Sequence, residues 1–149
     1  MIDNRAIISK DAQIGNNCEI GPNAYIGENV ILGDNVKVCA NAYIEHSTIG
    51  EGTIISPFAS VGTPPQDLGY KNEPTKVIVG KNCHIREYAT IHRASGEGKS
   101  TVIGDKCLLM VSSHVAHNCV LDDEVMLANL VTLGGHIKVG FGAFVGGMS

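Results

Sequence analysis

The 149-residue sequence has no tryptophan, and aromatic residues make up only 5% of it. Without large rings the interior has to be filled by aliphatic side chains, and 18 glycines place many tight turns around them. No apolar run reaches the roughly 18 residues of a membrane-spanning helix, and Met1 leads into patterned sequence rather than a basic stretch followed by an apolar one. A soluble, unexported, cytoplasmic protein with no transmembrane segment is therefore expected. Basic clusters are lacking too. Acids and bases are interspersed with a formal net charge of −4, which leaves no face to track a phosphate backbone and excludes nucleic acid as a partner. There is also no Cys-x-x-Cys pair. Four of the five cysteines, Cys18, Cys83, Cys107 and Cys119, each stand two residues before an Ile or Leu. That marks them as small packing residues in a reducing compartment rather than disulfides or zinc ligands.

What the sequence does have is a period of six. Aliphatic residues recur at Ile2, Ile8, Ile14, Ile20, Ile26, Leu32, Val38 and Ile44, slip by one residue, and resume at Ile49, Ile55 and Val61. The same register holds at Val79, Ile85 and Ile91, and from Ile103 through Leu109, Val115, Leu121, Leu127, Leu133 and Val139 to Val145. This period is neither that of a helix nor that of an alternating strand. The residue after the aliphatic is often glycine and the residue two before it is usually small, so each hexad supplies a short strand and a turn. Three hexads close one triangular coil of about 18 residues, and the inward aliphatics stack along its axis. The expected fold is all-β: a single domain over residues 1–149, a triangular hexapeptide-repeat solenoid forming a parallel β-helix. The register fails over about 62–77 and 93–101, where charged residues such as Asp67, Glu73 and Glu97 take inward positions. Both stretches read as loops extruded from the prism, which is where a rigid scaffold carries its binding groups.

Three of the six histidines fall close together: His114 and His117 in Ser112-Ser113-His114-Val115-Ala116-His117-Asn118, and His136 in Leu133-Gly134-Gly135-His136. None takes an inward position. With about 18 residues per coil, residue 135 stacks directly over residue 117. An imidazole able to act as a general base then shares a groove with a peptide N–H that carries no side chain in front of it. Such an amide can stabilise the oxyanion formed when a hydroxyl attacks a thioester.

Gln66-Asp67-Leu68 with Tyr70 and Glu73-Pro74-Thr75, Ile85-Arg86-Glu87, Thr90-Ile91-His92-Arg93, His114-Val115-Ala116-His117 and Leu133-Gly134-Gly135-His136 occur in that order. Together they resemble the successive motifs of the UDP-N-acetylglucosamine O-acyltransferases, which carry out the first step of lipid A synthesis. The resemblance runs from Met1 to Ser149. It implies a left-handed coil and a homotrimer with active sites between adjacent prisms. It also implies that His117 deprotonates the glucosamine 3-hydroxyl, which attacks the thioester of a 3-hydroxyacyl group on acyl carrier protein. Gly135 matches the position of oxyanion stabilisation. Gln66, Asp67, His92, His114 and His136 match substrate-binding positions for UDP-N-acetylglucosamine, and Asn118 matches the residue that orients the base. The family implies no cofactor and no metal.

The chain departs from the family pattern in three places. Gly69 stands where a lysine is usual, and Lys71 is the nearest substitute for that cation. Asn118 stands where an aspartate is common, which predicts a weaker base unless Asp122 or Asp123 reaches the ring. The sequence stops in mid-repeat at Gly146-Gly147-Met148-Ser149, so the C-terminal helical region of the family is expected to be absent and the chain to be a fragment. Two other readings stay open: a catalytically impaired trimeric scaffold, and a metal enzyme of the gamma carbonic anhydrase type using His92, His114 and His117.

Overall fold

The computed structural model describes residues 1–149. The hexads form short strands, mostly of two residues, arranged in three parallel sheets of seven strands each. One sheet stacks Ile7–Ile8, Tyr25–Ile26, Tyr43–Ile44, Ser60–Thr63, Thr90–His92, His114–Val115 and Thr132–Leu133. The second runs from Gln13–Ile14 to Lys138–Val139 and the third from Glu19–Ile20 to Phe144–Val145. The architecture is a left-handed parallel β-helix with a triangular section. No helix is long and apolar enough to cross a membrane.

Register follows the sequence period. Ile8 pairs with Ile26 and Val115 with Leu133, whereas Leu32 pairs with Ile49, where the one-residue slip shortens a single coil. The inward aliphatics and the small residues two positions earlier form one buried cluster of 30 residues. Ile26, Ile44, Val61, Ile91 and Val115 are fully buried within it. Each buried aliphatic contributes about 1.5–3 kcal/mol against exposure.

Glycine after each aliphatic suggests a turn-maker, but the structure gives it another task. The residues with positive φ lie two positions later, and asparagine is the commonest of them: Asn17, Asn23, Asn29, Asn35, Asn41, Asn82 and Asn118. Asparagine tolerates this left-handed conformation better than most residues. The glycines instead let one coil lie against the next. A Cβ on Gly50 would sit 2.4 Å from the Gly80 carbonyl carbon, and one on Gly80 would sit 2.6 Å from that of Gly104.

All five cysteines are free. The thiols of Cys18, Cys83, Cys107 and Cys119 donate to carbonyl oxygens of Gly33, Gly104, Asp122 and Gly134, so they satisfy corner carbonyls as well as filling space.

The chain leaves the prism between Thr63 and Lys76 and again between His92 and Ser100. The two excursions clasp each other. The Glu73 carboxylate accepts from the Gly96 N–H at 2.7 Å, and the Pro74 carbonyl accepts from Gly98 N–H at 2.9 Å. Arg93 fastens both to the prism. Arg93 as a whole is 9% exposed, and its guanidinium donates to Glu45 Oε1 at 3.0 Å, the Gly62 carbonyl at 2.8 Å and the Tyr70 hydroxyl at 3.1 Å.

Candidate active site

Both loops leave from one edge of the prism, and the histidines line that same edge. In the first sheet Thr90 pairs with His114 and His114 with Thr132, so successive coils project side chains in line. The turn after Val115 carries His117 and Asn118, and the turn after Leu133 carries Gly135 and His136. The two turns are tied by the His136 N–H donating to the His117 carbonyl at 3.0 Å.

The imidazole of His117 lies flat against bare backbone. A Cβ added at Gly135 would fall 2.6 Å from His117 Nε2 and 2.7 Å from Cε1, so no larger residue fits while the ring stays in place. The Gly135 N–H has no acceptor within the chain. The ring of His136 meets that of His117 edge-on, with centroids 5.1 Å apart.

Hydrogen bonding fixes the tautomer of His117. Asn118 Oδ1 accepts from the Ser95 N–H at 2.9 Å while Asn118 Nδ2 donates to the Ser95 carbonyl at 3.0 Å, which assigns the two ends of the amide. The same Oδ1 lies 2.8 Å from His117 Nδ1. A carboxamide oxygen only accepts, so Nδ1 carries the proton and Nε2 keeps its lone pair free. Neither Asp122 nor Asp123 hydrogen-bonds this pair. Asp123 Oδ1 accepts instead from the Asp105 N–H at 2.7 Å, in the turn after Ile103. The negative charge facing the ring comes from the first loop. Asp67 is held below the ordinary carboxylate range by a hydrogen bond from the Ser95 hydroxyl and another from the Gly69 N–H, with His117 and His136 adding to the shift.

His92 and His114 pack edge to face with centroids 4.7 Å apart. His114 Nδ1 shares a 2.7 Å hydrogen bond with the Thr90 hydroxyl, and burial lowers its pKa. His92 is lowered to about 4 by burial first, then by His114 and His117. Its Nδ1 is buried without a partner. A buried polar atom left unpaired costs about 1–3 kcal/mol.

Of the residues expected from sequence, Asp67, His92, His114, His117, Asn118, Gly135 and His136 converge on this edge. Gln66 is exposed on the loop and makes no hydrogen bond within the chain. Leu68, beside it, is completely exposed. Sequence reasoning gave no role to Ser95, Arg93 or Glu73, which fix the loops; Arg93 and Glu73 stood within the motifs quoted above, and for Ser95 the polar make-up of the second loop was the only sign. No group of three or more His, Cys, Asp or Glu side chains within the chain is placed to hold a metal ion. A cleft of about 600 Å³ lined by Glu28, His46, Tyr70, Arg93 and Lys99 contains none of the residues around His117. An imidazole with a free ring nitrogen, a free amide donor and a carboxylate come together around His117 instead.

A family described as Bacterial transferase hexapeptide (six repeats) matches residues 1–28, 11–46 and 29–63. The acyl-[acyl-carrier-protein]–UDP-N-acetylglucosamine O-acyltransferase of Thermodesulfovibrio yellowstonii is 47% identical over 140 residues, which is 93% of this chain and 54% of that protein. A crystal structure of a UDP-N-acetylglucosamine acyltransferase superposes with a TM-score of 0.97 at 45% identity, covering 99% of this chain and 58% of that one. The UDP-N-acetylglucosamine acyltransferase of Bacteroides fragilis gives a TM-score of 0.83 at 34% identity, covering 98% of this chain and 67% of that one. The chain spans about half the length of the Thermodesulfovibrio relative.

Proposed function

The chain belongs to the UDP-N-acetylglucosamine O-acyltransferase family, and from that premise we propose that it transfers a 3-hydroxyacyl group from acyl carrier protein to the 3-hydroxyl of UDP-N-acetylglucosamine, the first step of lipid A synthesis. The observation that carries this reading is the His117 ring, whose Nδ1 is committed to Asn118 Oδ1 at 2.8 Å and which, with Nε2 free, packs against Gly135, a residue whose N–H has no acceptor within the chain.

His117 Nε2 takes the proton of the sugar hydroxyl as its oxygen bonds to the thioester carbon. The carbonyl oxygen becomes an alkoxide, and the Gly135 N–H donates to it. Collapse of the tetrahedral intermediate breaks the carbon–sulfur bond, and the departing thiolate of the carrier takes the proton back from the imidazolium. The ester and the free carrier thiol leave a neutral His117. Asn118 keeps Nδ1 protonated through the cycle. Asp67, 2.6 Å from the Ser95 hydroxyl, faces the imidazolium and supplies the charge that Asn118 lacks. His92 and His114 stay neutral near neutral pH and can each donate or accept toward sugar hydroxyls, with Gln66 and His136 at the margins of the site.

The assembly proposed with this reading is a cytoplasmic homotrimer whose active cleft lies between prisms. Its support is apolar surface at the loop and along the solenoid: Leu68 fully exposed, and Phe58 stacked on Tyr88 at 5.3 Å with both rings about half exposed. Acyl transfer from 3-hydroxyacyl carrier protein to UDP-N-acetylglucosamine, measured for wild type and His117→Ala, tests the assignment. A loss of about 10²–10⁴-fold in kcat is expected on removing a general base. If both proteins are equally slow the chain is a scaffold, and equal rates well above background would remove His117 as the base.

A further inference from the structure

We infer that Ser95 is a positioning residue, its hydroxyl holding the Asp67 carboxylate toward the His117 and His136 rings while the Asn118 amide grips its main chain. The inference rests on the acyl-transfer reading of this site and adds to it a residue of the second loop.

The contacts form one chain across three segments. His117 Nδ1 donates to Asn118 Oδ1 at 2.8 Å, and the Asn118 carboxamide holds Ser95 through its N–H at 2.9 Å and its carbonyl at 3.0 Å. The Ser95 hydroxyl donates to Asp67 Oδ2 at 2.6 Å, and the Gly69 N–H donates to Asp67 Oδ1 at 2.9 Å. Each carboxylate oxygen thus has one donor, one from each loop, and the plane of the group is fixed. A carboxylate accepts about four hydrogen bonds, so two sites remain for a ligand. Hydrogen bonds to an ionised group are roughly twice as strong as neutral ones, which makes the short Ser95 contact the strongest link.

Asn118 is where the relay branches. It follows His117 in sequence and sits in the left-handed turn conformation, φ 60, so the base and the grip on Ser95 are set by one residue of the rigid prism. Its amide donates as well as accepts, and an aspartate could not donate to the Ser95 carbonyl. Second-loop rigidity is completed by the Gly96 N–H donating to Glu73 Oε1 at 2.7 Å. The charged or titratable groups around Asp67 are Glu73 on its own loop and His117 and His136 on the prism.

The test compares wild type, Ser95→Ala, Ser95→Thr, Asp67→Asn and the double variant Ser95→Ala/Asp67→Asn, in acyl transfer and in calorimetric binding of UDP-N-acetylglucosamine. Ser95→Ala is expected to lower kcat/KM about tenfold. Ser95→Thr keeps the hydroxyl and should restore the wild-type kcat/KM. Adding Ser95→Ala to Asp67→Asn should change kcat/KM by less than about twofold, because the two residues act as one unit. Wild-type kcat/KM in Ser95→Ala, a loss that Ser95→Thr does not restore, or a full tenfold loss in the Asp67→Asn background overturns the inference while leaving the acyl-transfer reading intact. If wild type transfers no acyl group, that reading fails. Binding of UDP-N-acetylglucosamine then decides on Ser95 alone: weaker binding in Ser95→Ala with recovery in Ser95→Thr supports it, and unchanged binding overturns it.

Discussion

Gly135→Ala adds a single methyl group between the base and the amide proposed to face the oxyanion. Gly135 has an ordinary negative-φ backbone, so alanine introduces no conformational strain, and the whole effect comes from contact. The new Cβ would lie 2.6 Å from His117 Nε2 and 2.7 Å from Cε1. Ordinary contact begins at 3.4 Å, so the ring has to retreat by roughly 0.8 Å. It is tethered through Nδ1 to Asn118 Oδ1 at 2.8 Å, and a retreat of that size stretches or breaks the bond that sets the tautomer. Overpacking of this kind costs about 1–3 kcal/mol, and misplacing a reacting group by about 1 Å can lower the rate 10²-fold. The expected result is a kcat at least about 100-fold below wild type, with a fall of about 2–12 °C in Tm. Gly134→Ala is the internal control, because a Cβ there meets nothing within 4 Å and its φ is also negative. It should be nearly as active as wild type. A Gly135→Ala protein with wild-type kcat would mean that His117 does not act from the position described, and the mechanism would fall with it.

Arg93→Met removes the cation that pairs with Glu45 at 3.0 Å and strands a carboxylate that is itself largely covered, so thermal or urea unfolding should show a loss of about 3–5 kcal/mol, and faster proteolysis of both loops. A variant with unchanged unfolding would remove Arg93 from its role as anchor. Asn118→Asp exchanges an amide donor for a carboxylate beside the Ser95 carbonyl. It should lower kcat/KM and loosen the second loop, and a faster enzyme would refute the reading of Asn118 as a two-sided grip. Stability should also respond to pH through His92. Its folded pKa of about 4 lies below the unfolded value of 6.5, so between these values the unfolded chain binds more protons and stability falls as the pH drops. Tm measured from pH 7 to pH 4 should fall less steeply in His92→Gln, and parallel curves would contradict the burial assigned to the ring.

The fold was legible because a solenoid repeats its instruction. Ile8, Ile26 and Ile44 follow one rule, and each coil pairs only with its neighbours, so a period of six in the sequence is a register in space. The same reasoning placed Gly135 over His117, since that relation is periodic. The turn chemistry was equally available but points elsewhere: Asn17, Asn23, Asn29, Asn35 and Asn41 mark the left-handed positions at the same spacing, while the glycines answer to the closeness of neighbouring coils. Ser95 and Arg93 were not legible. Ser95 meets Asp67 across 28 residues and Arg93 meets Glu45 across 48, and neither separation is set by the repeat. Where the chain leaves the prism, position in sequence stops implying position in space.

That division explains how such a uniform scaffold can hold an asymmetric site. At the left-handed turn position the early coils mostly use asparagine, which tolerates positive φ, while other coils place Phe58, Tyr88, Glu124 and Leu130 there, and the coil above His117 places His136 there at φ 62. A bulkier residue in that conformation costs about 1–2 kcal/mol. The chain tolerates it where the His136 ring stands edge-on to His117 and its N–H bonds the His117 carbonyl at 3.0 Å. Asn118, one coil earlier at the same turn position, keeps the standard residue but turns its amide to the second loop. Equivalent positions in adjacent coils therefore do different work: the lower one fixes the base to the loops, and the upper one sets a second imidazole against it. Replacing His136 by Asn should relieve the turn strain and raise Tm slightly while weakening substrate binding, and a variant that gains stability with no loss in KM would show that the strained histidine serves only the fold.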